Sequence, residues 1–212
     1  MGTTDRTPLT RERVLEAAIA IADEAGIESL TMRKVAKELG VEAMSLYNHV
    51  ANKEDLLAGM VDAVAREIDV PRRARSWKSA IRRTAISSRD TFLRHPWAAR
   101  LWMAGGEGGS ARLEYADWLL RTLREGGLSS DRVYHGFHIL QGYVLGYTFQ
   151  QLSVPYGPEE LAGMAERFLR EFPTDDFPDM AEHIRQHIEP RRGKEGGFEL
   201  GLDLILNGLE GA

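Results

Sequence analysis

Between Thr31 and Lys53 the chain gathers side chains suited to recognition rather than to bond-making. Thr31, Ser45, Tyr47 and Asn48 offer hydroxyl and amide hydrogen bonds, Arg33 a planar five-donor fork, Met44 an unbranched apolar tip and Lys53 a compact cation. Carried on two short crossing helices, such a set can bond base edges and phosphates in a nucleic-acid groove. Lys53 follows Asn52, the predicted cap of a helix, and a cation in a first turn opposes the helix dipole. An ammonium placed there, beside free N–H groups, suits a phosphate; the plainer reading is a solvated lysine.

The rest of the sequence is poor in reactive constellations. There is no cysteine, which excludes disulfides, thiolate metal sites and cysteine nucleophiles and fits a reducing compartment. No nucleophile–base pair, paired carboxylates or phosphate-cradling glycine loop stands out. His135/His138 at i,i+3 and His183/His187 at i,i+4 could each share a helix face, but neither pair has an evident third ligand nearby. The expectation is a non-enzyme with no metal and no cofactor. The competing reading from another class is a small helical enzyme or carrier built round an aromatic cavity.

The elements that must position the recognition residues are helical. Val14, Ala17, Ala18, Ile21 and Ala22 recur at helical spacing after Thr10 as a cap and before Gly26 as a stop. Short helices follow at about 32–39 and 43–49, then a longer one over 52–69, ended by Pro71. Ala36 is small enough for a close crossing, and Gly40 tolerates the positive φ of the turn. Val35, Leu39, Val41, Leu46 and Val50 then face the first helix, leaving Ala43, Met44, Ser45, Tyr47 and Asn48 outward. A purely structural hairpin would also want glycine in the turn and apolar residues at this spacing. Its outward side would usually carry Lys and Glu, not Ser, Tyr and Asn.

Helical patterns resume at about 76–94, 96–103, 110–125 and 129–153, punctuated by His95-Pro96, Gly-Gly pairs and Pro155. More polar helices are expected over 158–172 and 178–189, and a last amphipathic one over 197–209. No alternating run is long enough for a strand, so the class is all-α. Residues 1–70 form a helix-turn-helix unit of three helices plus a linking fourth, and residues 71–212 a larger helical domain. No stretch is long and apolar enough to span a membrane, and the first residues lack a signal-peptide core, which places the protein in the cytoplasm.

Charge gives this reading little help. The net charge is −5, whereas a DNA-binding unit usually carries a basic face. Residues 1–83 sum to +1 and residues 84–212 to −6, so the acid is concentrated in the second part.

The run Leu30-Thr31-Met32-Arg33-Lys34, with Leu46-Tyr47-Asn48-His49-Val50 and Asn52-Lys53-Glu54-Asp55-Leu56-Leu57, resembles the DNA-binding domain of the tetracycline-repressor (TetR) family over about the first 70 residues. The resemblance implies an all-helical homodimer in which the first three helices bind double-stranded DNA, the fourth links to the larger domain, and a small-molecule effector there alters DNA affinity. Carried over by position, Thr31, Met32 and Arg33 lie where family members touch phosphate and sometimes a base. Ala43, Met44, Ser45, Tyr47 and His49 occupy recognition-helix positions, with Asn48 on the same outward side. By chemistry Arg33 suits a guanine, Ala43 and Met44 thymine methyls, and Ser45 a base edge or phosphate. Tyr47 and Lys53 suit backbone phosphates.

The resemblance also places the effector cavity among the helices spanning 76–153, near Trp102, Met103, Tyr115, Trp118, His138 and Gln141. His138, Gln141 and Thr148 would need partners if buried, and a ligand pocket is one solution. Ile68 and Trp102 stand where the tetracycline-binding branch has histidines for the magnesium-chelated drug, which argues against tetracycline. Most aromatic residues of a helical domain are simply core. The last helix is more apolar than one buried face requires, and Gly142 and Gly146 permit close backbone approach; in the family the corresponding helices form a four-helix dimer interface. A two-fold dimer would read a near-palindromic operator with half-sites about 34–36 Å apart. The function expected is that of a repressor released from its operator by the effector.

Overall fold

The structure is a computed structural model and describes residues 8–104, 109–154, 156–188 and 196–211. Every regular element among them is helical: α1 Arg11–Ala25, a 3₁₀ turn Ile27–Ser29, α2 Met32–Leu39, α3 Ala43–Leu46, α4 Lys53–Ala65, α5 Trp77–Arg94, α6 Pro96–Ala104, α7 Ser110–Glu125, α8 Ser130–Ser153, α9 Pro158–Glu171, α10 Pro178–Arg185 and α11 Gly197–Gly211. The caps explain the starts. Thr10, Thr31, Asn52, Ser76 and Ser129 each accept a hydrogen bond from the backbone N–H three residues on, satisfying a donor that the first turn leaves open.

Three boundaries differ from the sequence reading. The third helix closes after Leu46 rather than His49, because the amides of Tyr47 and His49 fold back onto carbonyls only three residues earlier and tighten the turn. The fourth ends at Ala65 rather than near Asp69, its last amides making the same tight bonds. There α5 captures the chain: Thr84 Oγ1 donates to the Asp69 carbonyl at 2.9 Å, Ser87 Oγ accepts from the Asp69 amide at 2.9 Å, and Arg83 pairs with the Asp69 carboxylate. The tenth ends at Arg185 rather than at Glu189, since the amides of Gln186, His187 and Ile188 bond carbonyls three residues earlier; Glu189 itself lies outside the described residues.

Val14, Leu30, Val35, Leu46, Leu56 and Met60 are fully buried beneath α1 to α4, each worth about 1.5–3 kcal/mol of burial. This packing runs on without a break into Ile81, Phe92, Leu123, Leu202 and Leu206. Gly59 lets α1 approach α4, since a Cβ there would lie 2.8 Å from Leu15.

Polar contacts join α1 and α4 to the later helices. The Asp62 carboxylate of α4 accepts the Ala111 amide at 2.7 Å, standing in for the side-chain cap that Gly109 cannot give to α7. His95, between α5 and α6, has one ring nitrogen 2.9 Å from Asp23 of α1 and the other 3.2 Å from Glu67. Trp97 Nε1 donates to the same Asp23 at 2.6 Å. Burial pushes the Glu67 carboxyl up, but Arg94 and His95 outweigh it and hold it below the usual range.

Within the first four helices the corresponding contact is a fork. Arg11 donates to both Asp55 oxygens, at 2.6 and 3.0 Å, and to the His49 carbonyl at 2.8 Å. Asp55 also accepts the Ala51 amide at 2.8 Å, and its pKa is lowered by the Arg11 bond first and that amide second. A carboxylate whose native pKa is depressed stabilises the fold above its unfolded value, near 3.9, and the contribution fades as pH falls through the native value. Both side chains keep roughly a third of their surface in water, so solvent screening discounts the pair. Arg11→Ala should cost about 1–2 kcal/mol at pH 7 in thermal or urea unfolding. The deficit relative to the unsubstituted chain should shrink as the pH is lowered below about 4. An equal deficit at pH 7 and pH 3 would show that the fork is not the cause.

Candidate nucleic-acid interface

Gly40 adopts φ 65°, ψ 34° between α2 and α3, a left-handed conformation that an L side chain would strain. The following Val41 amide closes back onto the Ala36 carbonyl at 3.0 Å, completing the turn. Val35, Ala36, Leu46 and Val50 are buried, and Leu39 and Val41 are partly buried against the same core. This geometry fixes which residues of the two short helices look outward.

Met44 is 75% exposed, and Arg33, Tyr47, Asn48 and Lys53 are exposed as well. Thr31 is exposed, and its hydroxyl oxygen already accepts the Lys34 amide at 3.2 Å, leaving the hydroxyl hydrogen to donate to a phosphate. Ser45 and His49 are half-buried, and Met32 and Ala43 pack partly against the core. Of the residues expected at the interface, Thr31, Arg33, Met44, Tyr47, Asn48 and Lys53 therefore face outward, with Ser45 and His49 at the edge of the set. Lys53 opens α4 as expected, and the dipole cost falls beside Glu54 and Asp55 in the same turn.

Sequence reasoning missed the support behind this face. The Arg11 and Asp55 side chains bond no side chain of the outward set, yet they tie the His49 carbonyl and the Ala51 amide together where the recognition segment passes into α4. Asp55 is visible in the sequence as an acid suited to a helix start. Nothing local names its partner 44 positions away.

The residues expected round an effector divide into two groups. Trp102, Tyr115 and Trp118 come together inside the helices: Trp102 meets Tyr115 edge-on at 5.5 Å and Phe92 at 5.3 Å, and Tyr115 lies 6.5 Å from Trp118. Arg112 lies over the Trp102 ring at 5.3 Å and donates to the Trp102 carbonyl at 2.8 Å. Burial holds the Tyr115 phenol above its ordinary pKa, with a lesser opposing effect from Ser88. All three rings are buried.

Met103 and His138 do not join that cluster, and Gln141 is only half-buried. The buried stripe of α8 runs through Val133, Gly136, Leu140 and Val144, and His138 sits two residues from both Gly136 and Leu140, about 200° round the helix from each. It rests instead against Tyr134 at 4.8 Å on the outer face. Thr148 is buried but needs no ligand, because its hydroxyl donates to the Val144 carbonyl at 2.7 Å. Of the histidine pairs, His135 faces Asp131 at 3.6 Å, while the His183 and His187 rings meet at 5.6 Å. No group of three or more potential ligands among the described residues is arranged to hold a metal. No helix among them is long and apolar enough to cross a membrane.

Comparison with known proteins bears on the same two regions. Residues 14–60 match the model for bacterial regulatory proteins of the tetR family, and residues 70–212 match the tetracyclin repressor-like C-terminal domain. The chain is 32% identical to the HTH-type transcriptional repressor DrrR1 of Streptomyces coeruleorubidus, over 95% of this chain and 77% of that one. It is 30% identical to the class D tetracycline repressor protein of Escherichia coli, over 95% and 89%. Among solved structures it superposes with a TM-score of 0.77 on the TetR family protein ActR of Streptomyces coelicolor in complex with actinorhodin, at 29% identity, covering 97% of this chain and 100% of that one. The exposed helix-turn-helix surface and the matches on both sides of residue 70 make the chain a member of the tetR family of bacterial regulatory proteins, a DNA-binding transcriptional regulator and not an enzyme.

Proposed function

We propose that the chain is a dimeric, sequence-specific repressor that holds a near-palindromic operator and leaves it when a small-molecule effector binds. The observation that carries this reading is the rigid outward set Thr31, Arg33, Met44, Tyr47, Asn48 and Lys53, with Ser45 and His49 at its edge. Arg33 is the guanine reader, by a bidentate contact to O6 and N7, and Met44 the contact to a thymine methyl. Tyr47 and Lys53 hold phosphates and set register. Residues 1–70 act as the reading head and residues 71–212 as the effector and dimerisation domain, working on DNA in the cytoplasm.

Dimerisation is supported by an apolar surface on neighbouring helices. On α11, Leu200 and Leu204 are 55% and 66% exposed. Beside it on α8, Ile139 is exposed, and Gly142 and Gly146 have nothing within 4 Å of where a Cβ would stand. A second copy related by a two-fold axis would cover both helices and space the reading heads for successive major grooves. Effector release then requires that the ligand favour a geometry in which that spacing is wrong, a coupling typically worth about 1–3 kcal/mol and reciprocal between the two ligands. ActR, solved with actinorhodin, supports a small organic molecule as the class of effector.

Titration of the intergenic DNA upstream of the gene is the direct test. Arg33→Ala should lose about 1–3 kcal/mol and relax the preference at one base pair. Lys53→Ala should weaken all sequences alike and reduce the salt slope by about one unit. Loss of neither property would remove both assignments. Light scattering at micromolar concentration should give twice the 23.7 kDa chain mass. Leu204→Glu, at an exposed position, should give a folded monomer; a persisting dimer would place the interface elsewhere.

A further inference from the structure

A cleft of about 940 Å³ opens between the segment leaving α4, the first turn of α5 and the outer face of α7. Trp118 and Ala80 floor it, and Val70 and Trp77 wall it. Trp102 and Tyr115, near which the effector was expected, do not line it, and its volume falls in the range of small-molecule sites. Trp118 is 9% exposed and its indole N–H donates to no described residue. No buried polar atom among the described residues lacks a partner, so that N–H must reach open space, and the cleft is the space its ring lines.

The rim has a charge pattern. Glu114, Asp117, Arg121 and Glu125 fall at three- and four-residue spacing on one face of α7. Asp117 answers Arg121 at 3.6 Å, whereas Glu114 and Glu125 have no ion-pair partner among the described residues. Arg72 stands on the facing lip. Two indoles and two uncompensated carboxylates offer a flat cation both a quadrupole and a counter-charge.

We propose that this cleft binds a planar organic cation, its ring against Trp77 and Trp118 and its charge toward Glu114 and Glu125. Such a ligand touches Val70 and Arg72, one and three residues beyond the Asp69 that α5 pins through Thr84, Ser87 and Arg83. Occupancy therefore bears on the exit of α4, the helix that begins at the DNA face with Lys53. The regulatory half of this proposal rests on the effector-responsive reading above; the binding half does not.

Fluorescence anisotropy of the full chain without DNA tests binding, with rhodamine 6G as the cationic probe and fluorescein as its anionic counterpart. The cation should bind at least tenfold more tightly than the anion. Glu114→Gln with Glu125→Gln should weaken it about tenfold, as expected for two partly screened charge contacts. Trp77→Ala should weaken it too, and Arg72→Gln should leave it unchanged or tighten it. Unchanged thermal melts establish that each variant is folded. Binding of neither dye, a cation affinity indifferent to the two Gln substitutions, or a preference for fluorescein that Arg72→Gln abolishes would each overturn the proposal. Titrating the upstream DNA with rhodamine 6G at saturation then separates the two halves: weakened DNA binding supports release through this cleft. Unchanged DNA binding leaves the cation site standing and overturns its regulatory role.

Discussion

A recognition helix of one turn has too few backbone hydrogen bonds to fix its own direction, so Ala43–Leu46 must be oriented from outside. The fork between Arg11 and Asp55 supplies much of that restraint. It gathers the start of α1, the carbonyl after the recognition turn and the amide before α4 into one set of charge-assisted bonds. Leu46 and Val50 anchor the same segment from beneath. A guanidinium or a methyl group can discriminate bases only if it arrives within a few tenths of an ångström of its place, so the placement of the outward side chains depends on the residues packed behind them.

Much of this was legible in the chain itself, because the signals are local. Thr10, Thr31, Asn52, Ser76 and Ser129 announce helix starts by chemistry acting over three residues, and Gly26 and Gly40 announce breaks through the φ they permit. The pattern from Val35 to Val50 sorts inward from outward positions for the same reason. Contacts such as Asp23 with His95, Asp62 with Ala111 and Arg11 with Asp55 join residues tens of positions apart and leave no trace in periodicity. His138 shows a second limit. The long α8 is apolar on most of its circumference, so spacing alone could not say which side meets the core, and a histidine of the outer face was read as a pocket residue.

The aromatic interior has a physical role in holding the later helices together. Phe92, Trp102 and Tyr115 join α5, α6 and α7 through two edge-to-face contacts, with Trp118 tilted against Tyr115. Such packing is bistable rather than elastic: a ring displaced from an edge-on contact loses it and must find another. These helices are tied to α1 and α4 through Trp97 and Asp23 on one side and Ala111 and Asp62 on the other.

The Asp62 carboxylate, lodged at the first amides of α7, makes the two parts of the molecule less separable than their arrangement along the chain suggests. Gly109 has no side chain to cap α7, so the helix borrows its cap from the linking helix of the other part, and a Cβ at Gly109 would collide with it. Chimaeras that exchange reading heads among relatives at residue 70, beyond Asp62, therefore transplant more than specificity. A donor head without an acid at this position deprives the recipient's α7 of its cap. Successful exchange will depend on moving Asp62 and Gly109 as a pair, and natural recombination between relatives faces the same restriction.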